Sequence, residues 1–368
     1  MGEHSITRRG FLVGSSATVG GALLGGSLLS ACGVGAAPRS KKIGFAMSSF
    51  RNPRFPNLDL FNFEKAVRDA GFEPHSDQAN DDPAQQANQV DNLLAQGLGA
   101  LAIIPVVGPP AVSMVRKAKE QGVPVLAYNT GVPSPDISVF VSRDNVAVGE
   151  AIAQAALKDQ GLTGNWVVVS GDQANAVAIE FTEGVFNVIQ PRIDAGQMQV
   201  ASHEWHAAFS IEDARQQAEN TLTRFGDKIG GFLCNSDGLA QGVLAALEAQ
   251  NLAGKMWIGG QDASEAACRG ILQRKINMSS FTRFDVMGTR AGEICVQLAK
   301  GETPKTDATY ELGGKQVPFV RIEAFNVTRD NLVEYLEEYS PQYVDAKNVF
   351  AGVPETEWPQ GAKELLAR

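Results

Sequence analysis

The feature that most constrains the fold of this chain is an unbroken alternation of short apolar runs and amphipathic segments, which begins at Lys42 and continues to Thr282. The apolar runs have the length and continuous hydrophobicity of strands that are buried on both faces. Strands of this kind that alternate with helices indicate parallel sheets covered by helices. The predicted strands lie in KIGFAM, LGALAIIPV, VPVLAYN, ISVFVSRDN, WVVVSGD, MQVASHEW, GGFLCNSD, KMWIGGQD and INMSSFT.

Helical periodicity occupies the intervals between these strands. The alternation divides into two series, one ending near Asn145 and the other near Thr282, with no long linker between them. We therefore predict an α/β fold with two doubly wound, Rossmann-like lobes. The predicted helices include residues 58–70, 82–96, 111–121, 146–159, 211–225, 239–250 and 285–300.

Large polar and aromatic side chains follow the predicted strands, where turn chemistry needs only small residues. Parallel α/β sheets bind ligands outside the carboxyl ends of their strands, and two sheets with those ends facing each other form a cleft. The sequence therefore predicts a binding site between the lobes. The residues in these positions are Arg51, Asn52, Arg54, Phe55, Asn129, Thr130, Arg143, Asp144, Asn145, Asp172, Gln173, Trp205, Phe209, Ser236, Asp237, Gln261, Asp262, Thr282 and Arg283.

The N-terminal segment has the features of an export signal. Arg8-Arg9 precedes a run rich in glycine, alanine, serine and leucine over residues 11–31, which is typical of a twin-arginine signal. The motif LSAC ends at Cys32 and matches a bacterial lipobox, which predicts removal of residues 1–31 and lipidation of Cys32. Residues 32–41 would then be a flexible, lipidated tether. The alternative is a transmembrane anchor, since about 20 apolar residues can span a bilayer.

Charge and motif content argue against several function classes. The formal net charge is −9, and no basic run follows Lys42, so nucleic-acid binding is not indicated. Nucleophile-elbow, zincin and P-loop motifs do not occur. His203 and His206 lie three residues apart on one predicted strand and face opposite sides, and no third ligand is apparent, so we expect no metal site. We also expect no cofactor. The cysteines of the predicted domain lie in apolar surroundings and are expected to be free buried thiols: Cys234, Cys268 and Cys295.

A set of motifs appears in a characteristic order and at characteristic intervals between Lys42 and Asp330. They are SSFRNPRF after the first strand, then ALAIIPV, GVPVLAYN, SRDNVAVGEAIAQ and CNSDGLAQGVLAALEAQNLAGKMWIGGQDA. In this order and spacing they resemble type I periplasmic sugar-binding proteins of ABC transporters, such as the ribose-binding and xylose-binding proteins. Each motif is weakly specific alone, whereas the set is strongly specific.

The resemblance implies two Rossmann-like lobes joined by three hinge crossings, with the ligand in the interlobe cleft. By analogy, the first lobe comprises residues 41–145 and 284–312, and the second comprises residues 146–283 and 313–368. Residues 332–368 extend beyond the part that we can place by analogy, and we expect them to pack on the surface. The resemblance also favours a monomer.

The resemblance further implies which side chains bind a sugar. Aromatic rings cover the apolar faces of a pyranose, while charged and amide groups bond to its hydroxyls. On pattern alone, the core is the more common place for the aromatic side chains of Phe55 and Phe209, and the resemblance is what favours stacking on a sugar. The matching residues are Ser48, Asn52 and Phe55 for the ribose-binding pattern, Arg54 and Phe55 for the xylose-binding pattern, Phe209 for a second stacking residue and Asp262 for a carboxylate that accepts from hydroxyls.

Four predicted ligand contacts depart from the family pattern. The usual Asp-Arg pair after the fourth strand is Asn129-Thr130, and Arg143 stands where serine or phenylalanine is usual. Ser236 and Thr282 replace an asparagine and a lysine. A pentose other than xylose or ribose, or a linear polyol, therefore fits at least as well as those two sugars.

The leading hypothesis is a lipid-tethered solute-binding protein without catalytic activity, which closes around a monosaccharide or sugar alcohol and delivers it to a membrane permease. An exported carbohydrate-active enzyme is one alternative, although nothing in the sequence pairs the carboxylates of Asp144, Asp237 and Asp262 at catalytic distance. A sugar-sensing partner of a chemoreceptor or sensor kinase is another. The effector domain of a LacI-like repressor is disfavoured, since an export signal replaces the DNA-binding helix-turn-helix.

Overall fold

The computed structural model of the protein describes residues 40–368. It confirms the predicted α/β fold, and each predicted strand is present. The strands of these residues are, in chain order, β1 (Lys42–Met47), β2 (Glu73–Gln78), β3 (Ala100–Ile103), β4 (Val125–Tyr128), β5 (Val139–Ser142), β6 (Gly164–Ser170), β7 (Met198–Trp205), β8 (Ile229–Cys234), β9 (Trp257–Gln261), β10 (Met278–Thr282), β11 (Ala308–Leu312), β12 (Lys315–Arg321) and β13 (Ala324–Thr328).

Helices connect the strands, and short π-helical or 3₁₀ turns adjoin some of them. Two π-helical turns matter for the site, at Phe55–Leu60 and Tyr335–Tyr339. The α-helices of the described residues are α1 (Phe61–Asp69), α2 (Pro83–Ala95), α3 (Gly108–Glu120), α4 (Asn145–Gln160), α5 (Ala176–Asp194), α6 (Ile211–Phe225), α7 (Asp237–Ala249), α8 (Glu265–Leu272), α9 (Phe284–Lys300), α10 (Leu332–Glu334), α11 (Ala346–Phe350) and α12 (Ala362–Leu366).

Two sheets form the cores of the two lobes. The first has the order β11-β12-β5-β4-β3-β1-β2 and is parallel except at β11. The second has the order β13-β10-β9-β8-β6-β7 and is parallel except at β13. The strand order reverses beside β1 in one sheet and beside β6 in the other, so each sheet has a topological switch point at its carboxyl edge. The segments after β1 and β6 are therefore well placed to carry a ligand site.

The chain crosses between the lobes after β5, after β10 and after β12. The predicted lobe boundary at residue 312 is wrong, because β12 pairs in parallel with β5 and extends the sheet of the first lobe to Arg321. β13 then pairs with β10 in the second lobe. The reason lies in Gly313 and Gly314, whose positive φ values close a two-residue hairpin and return the chain to the first sheet.

The C-terminal segment contributes to the interior of the second lobe. Tyr335, Tyr343 and Phe350 are buried in its core, and the expectation that residues 332–368 pack on the surface is wrong for these positions. α11 packs against α8, which connects the segment to the element that follows β9. The segment is thus part of the folded lobe.

The cysteines that the sequence analysis singled out are buried, and the two histidines are hydrogen-bonded to neighbouring side chains. Cys234, Cys268 and Cys295 are free and buried, as predicted, and burial raises the pKa of each thiol. His203 Nε2 lies 2.9 Å from Ser170 Oγ, and His206 Nε2 lies 2.9 Å from Gln217 Oε1. Each ring is therefore fixed by a bond within its own lobe.

Candidate ligand-binding site

Arg54 lies at the entrance to the first π-helical turn, directly after the loop that follows β1. The Asn52 side chain accepts from the Arg54 backbone N–H at 3.1 Å, which shapes this loop. The Arg54 side chain is only 3% exposed, and its guanidinium lies over the ring of Phe284 at 3.7 Å and over the ring of Phe55 at 4.4 Å. The two rings hold the cation in one orientation through cation–π contacts.

Asn129 connects two buried guanidinium groups. Its Oδ1 accepts from Arg54 Nη2 at 2.8 Å and from Arg143 Nη1 at 2.5 Å. Asn129 has a positive φ of 61°, and the Ser142 hydroxyl donates to its carbonyl oxygen at 2.8 Å. The residue that replaces the family's aspartate is therefore locked in place, and Arg143 supplies a guanidinium from the end of the adjacent strand.

Arg143 is 2% exposed and lies at the first hinge crossing. Its guanidinium is 5.1 Å from the ring centre of Phe181 in the second lobe and 5.9 Å from that of Phe284. Burial, followed by the positive charge of Arg54, lowers the pKa of Arg143 to about 10, so it remains charged at neutral pH.

Asp262, which belongs to the second lobe, contacts Asn52 and Arg54 of the first lobe. Its Oδ2 accepts from Asn52 Nδ2 at 2.8 Å, and its Oδ1 lies 3.8 Å from Arg54 Nη1. Gln261 Nε2 also donates to Oδ1, at 2.5 Å. Because Asn52 and Arg54 belong to the first lobe, these contacts join the two lobes across the cleft.

Several polar atoms of this site have no hydrogen-bond partner among residues 40–368. They include Nε and Nη1 of Arg54 and Nε of Arg143. Buried polar atoms are almost always bonded in folded proteins, and each unsatisfied one is costly. The group of atoms therefore has the character of a binding site for a ligand rich in oxygen acceptors.

Two further buried carboxylates lie beside this cluster. Asp59 was not singled out in the sequence, whereas Asp237 was placed after a strand at the predicted cleft but not among the predicted sugar contacts. Asp59 accepts from the Tyr128 hydroxyl at 2.8 Å, and burial, opposed by the charge of Arg54, raises its pKa to about 6. Asp237 accepts from Ser279 Oγ at 2.6 Å, and burial together with the charge of Asp262 raises its pKa to about 7. In the sequence, Asp59 interrupts an apolar pattern between Leu58 and Leu60, whereas Asp237 follows a predicted strand and begins α7.

The remaining predicted contacts have no hydrogen bond to Arg54, Asn129, Arg143 or Asp262 within residues 40–368. Ser236 caps α7, and its hydroxyl accepts from the Leu239 N–H at 3.3 Å. Thr282 is fully buried, and its hydroxyl has no partner within residues 40–368. Ser48 and Phe209 are half-buried, and a Cβ on Gly171 would lie 2.2 Å from the Phe209 ring, which therefore covers the end of β6. Their contact with a ligand stays a prediction.

A second interlobe contact lies beside the hinge and was not predicted. The Tyr310 hydroxyl of β11 donates to Glu180 Oε1 of α5, and Asn145 Nδ2 donates to Glu180 Oε2 at 2.6 Å. Tyr310 belongs to the first sheet and Glu180 to the second lobe. This carboxylate therefore connects the lobes at a place outside the ligand cluster, which consists of Asn52, Arg54, Asn129, Arg143 and Asp262.

The family model for the periplasmic binding protein domain matches residues 43–303 of the chain. This chain belongs to that family. Its two parallel-sheet lobes agree with the type I sugar-binding architecture that the sequence motifs implied. Family membership also places the protein outside the cytoplasm.

Similar proteins include the D-xylose-binding periplasmic protein of Escherichia coli K12, which is 32% identical over 81% of this chain and 90% of that protein. The xylitol-binding protein of Mycolicibacterium smegmatis is 27% identical over 93% of this chain and 97% of that protein. Among solved structures, an ABC transporter solute-binding protein from Clostridium phytofermentans with bound β-D-glucose has a TM-score of 0.74, 27% identity, and coverage of 80% of this chain and 96% of that one.

The predicted lipidation residue, Cys32, lies outside the described residues, as do the export signal and most of the tether. Within residues 40–368, we find no helix with the length and apolar character that crossing a membrane requires.

Proposed function

We propose that this protein is an extracytoplasmic solute-binding protein that captures a monosaccharide or sugar alcohol between its lobes and delivers it to an ABC permease. The observation that carries the proposal is the meeting of Arg54, Arg143 and Asn129 with Asp262 across the cleft. Buried cations, an amide and a carboxylate, with aromatic rings beside them, suit a ligand whose surface alternates between hydroxyls and C–H groups.

Five-carbon sugars and sugar alcohols are the ligand class that we propose. The xylose-binding and xylitol-binding relatives support this size of ligand. Asp262 supplies an acceptor, while the two guanidinium groups supply more donors than Asn129 can accept from. Hydroxyl oxygens of the ligand carry two lone pairs each and would accept hydrogen bonds from the surplus N–H donors.

Lobe closure is the mechanism of capture that fits the fold. A ligand that contacts both lobes stabilises the closed form more than the open form, so binding shifts the population toward closure. The Asn52–Asp262 and Tyr310–Glu180 contacts would form with closure. We further propose that lipid on Cys32 anchors the domain at the membrane, where the closed form meets the permease as a monomer.

A thermal-shift screen of the purified protein against pentoses, hexoses, four- to six-carbon polyols and inositols tests the proposal. A ligand present at 100 times its Kd adds about 2.7 kcal/mol to the free energy of unfolding, which raises Tm clearly. Isothermal titration would then give the stoichiometry, and chromatography of the compound after incubation would show whether it is recovered unchanged. A flat response across the whole panel would contradict the sugar assignment.

A further inference from the structure

The turn that carries Asp262 has an unusual backbone. Asp262 and Ala263 have consecutive positive φ values of 110° and 47°, although neither is glycine. A φ near 110° lies outside the left-handed helical region that non-glycine residues visit most readily. Such strain persists only where surrounding contacts hold the backbone in place.

Each N–H of this turn is bonded within the second lobe. The three acceptors lie on β10 and at the start of α7, so they hold the turn from one side. The bonds run from Asp262 N to Ser280 O at 2.8 Å, from Ala263 N to Ser279 Oγ at 2.9 Å and from Ser264 N to Asp237 Oδ2 at 2.7 Å.

The C-terminal segment holds the turn from the other side. The Tyr335 hydroxyl donates to the Ala263 carbonyl oxygen at 2.7 Å, and the Cys268 thiol approaches the same oxygen at 3.4 Å. Tyr335 is fully buried, with its ring centre 4.9 Å from that of Phe281. The peptide group between Ala263 and Ser264 is thus fixed at its N–H by Asp237 and at its carbonyl by Tyr335.

A second tyrosine of the same segment lies against the helix that follows the turn. Tyr343 is 8% exposed, and its hydroxyl has no partner within residues 40–368. It lines a cavity of about 580 Å³ together with Glu265, which begins the helix three residues after Asp262. Burial, and after it the charge of Asp262, raises the pKa of Tyr343. The segment therefore packs beside the element that carries Asp262.

We propose that residues 332–350 are a functional part of the ligand site, with Tyr335 as a positioning residue that fixes Asp262 through the Ala263 carbonyl. Asp262 must keep one orientation to meet Asn52 and Arg54 across the cleft. A misplacement of a binding group by even about 1 Å has a large effect on a preorganised site. The effect on ligand affinity rests on the proposed function, whereas the effect on the turn does not.

The test compares Tyr335→Phe with Tyr339→Phe in the full-length protein. Both variants keep an aromatic ring in the same segment, but Tyr339 contacts Phe325 and the Arg283 guanidinium instead of the turn. Hydrogen exchange of the amides of residues 262–264 is measured without ligand. D-Xylose and xylitol are then titrated into each protein by calorimetry.

We expect Tyr335→Phe to accelerate exchange at residues 262–264 about tenfold, with little change in the rest of the lobe, and to raise Kd about five- to tenfold. Tyr339→Phe should leave both quantities unchanged. Wild-type exchange rates at residues 262–264 in Tyr335→Phe would overturn the inference, as would an equal acceleration throughout the second lobe. If the wild-type protein binds neither probe, that result counts against the proposed ligand class, and the exchange data still decide the role of Tyr335.

Discussion

At the scale of single residues, the site depends on one amide oxygen shared by two cations. Arg54 and Arg143 both donate to Asn129 Oδ1, and their guanidinium groups lie 3.7 Å and 5.9 Å from the ring centre of Phe284. Holding two guanidinium groups together costs free energy through like-charge repulsion and desolvation. A ligand that accepts from their remaining N–H groups would recover part of that cost. Binding energy is therefore concentrated in groups that are already oriented.

Replacement of Arg54 by alanine should remove most of the ligand affinity. Loss of a buried charged donor to ligand hydroxyls should weaken the free energy of binding by about 2 to 4 kcal/mol. Part of this loss arises because Asp262 is left without its cationic neighbour. Calorimetric titration with the compound found by thermal shift measures the effect. Arg51→Ala is the matched control, since Arg51 lies in the same loop with its side chain 67% exposed and paired with Asp81. Equal affinities of Arg54→Ala and wild type would contradict the site assignment.

The raised pKa of Asp59 predicts that the stability of the protein depends on pH. Its pKa rises from 3.8 to about 6 in the folded protein, so the folded state binds more protons than the unfolded state between those values. The free energy of unfolding therefore falls as pH rises through this window, by about 3 kcal/mol for this group. In Asp59→Asn this contribution is absent, and the stability of the variant relative to wild type should increase from pH 4 to pH 7.

Urea unfolding at unit intervals from pH 4 to pH 8 measures this difference. Asp69→Asn is a suitable control, because Asp69 is exposed and pairs with Lys65 on the surface of α1. A pH profile of Asp59→Asn that does not differ from that of the control would show that Asp59 does not titrate as described.

At the scale of elements, the site is built from segments that follow strands and from segments that return late in the chain. The loop after β1 provides Arg54, and the end of β4 provides Asn129. α9 begins at Phe284 and places that ring beneath the guanidinium of Arg54. The C-terminal segment reaches the Asp262 turn through Tyr335. Elements far apart in sequence thus fix each binding group from several sides, which favours a rigid site.

At the scale of the whole molecule, two sets of contacts within the described range, residues 40–368, join the lobes. One is the ligand cluster with Asn52 and Asp262, and the other is the Tyr310–Glu180–Asn145 contact beside the hinge. Contacts present only in the closed form shift the equilibrium between open and closed forms. Affinity for a ligand can therefore depend on residues that never touch it.

Tyr310→Phe tests this dependence. The substitution keeps the ring packed on Phe140 and Phe319 but removes the donor to Glu180. Loss of one interlobe hydrogen bond should weaken ligand affinity by about 1 kcal/mol, or about fivefold. Small-angle scattering should also show a more open average form in the absence of ligand. Unchanged affinity and unchanged scattering would place this contact in both forms and remove it from the closing equilibrium.

Local patterns were sufficient for the predicted strands and for much of the site. The strands are buried on both faces, so each appears as a continuous apolar run that can be recognised without knowledge of its neighbours. Arg54, Phe55 and Asp262 were recognisable because large or charged side chains follow such runs, and the structure brings Arg54 into contact with both of the others. Whether these groups hold a ligand stays a prediction.

Other elements carry no comparable local signal. β2 has the sequence EPHSDQ and lies at the edge of the first sheet, where polar residues are tolerated. No apolar run therefore marks this strand in the sequence. The Gly313-Gly314 turn was a readable hairpin signal, but the choice of β5 as partner for β12 depends on the whole sheet. Asp59 becomes significant only through its buried surroundings, because burial is what raises its pKa.

By itself the sequence determined the α/β class, the two series of strands and the positions after them that carry large polar groups, because burial periodicity and turn chemistry are local properties of a chain. Only the tertiary structure decided that Arg143 meets Arg54 at Asn129, that Phe284 lies beneath Arg54, and that Tyr335 reaches the Asp262 turn. These contacts join residues that are separated by 14 to more than 200 positions in the chain. No local pattern encodes such pairings, since they result from the packing of two lobes and a returning C-terminal segment.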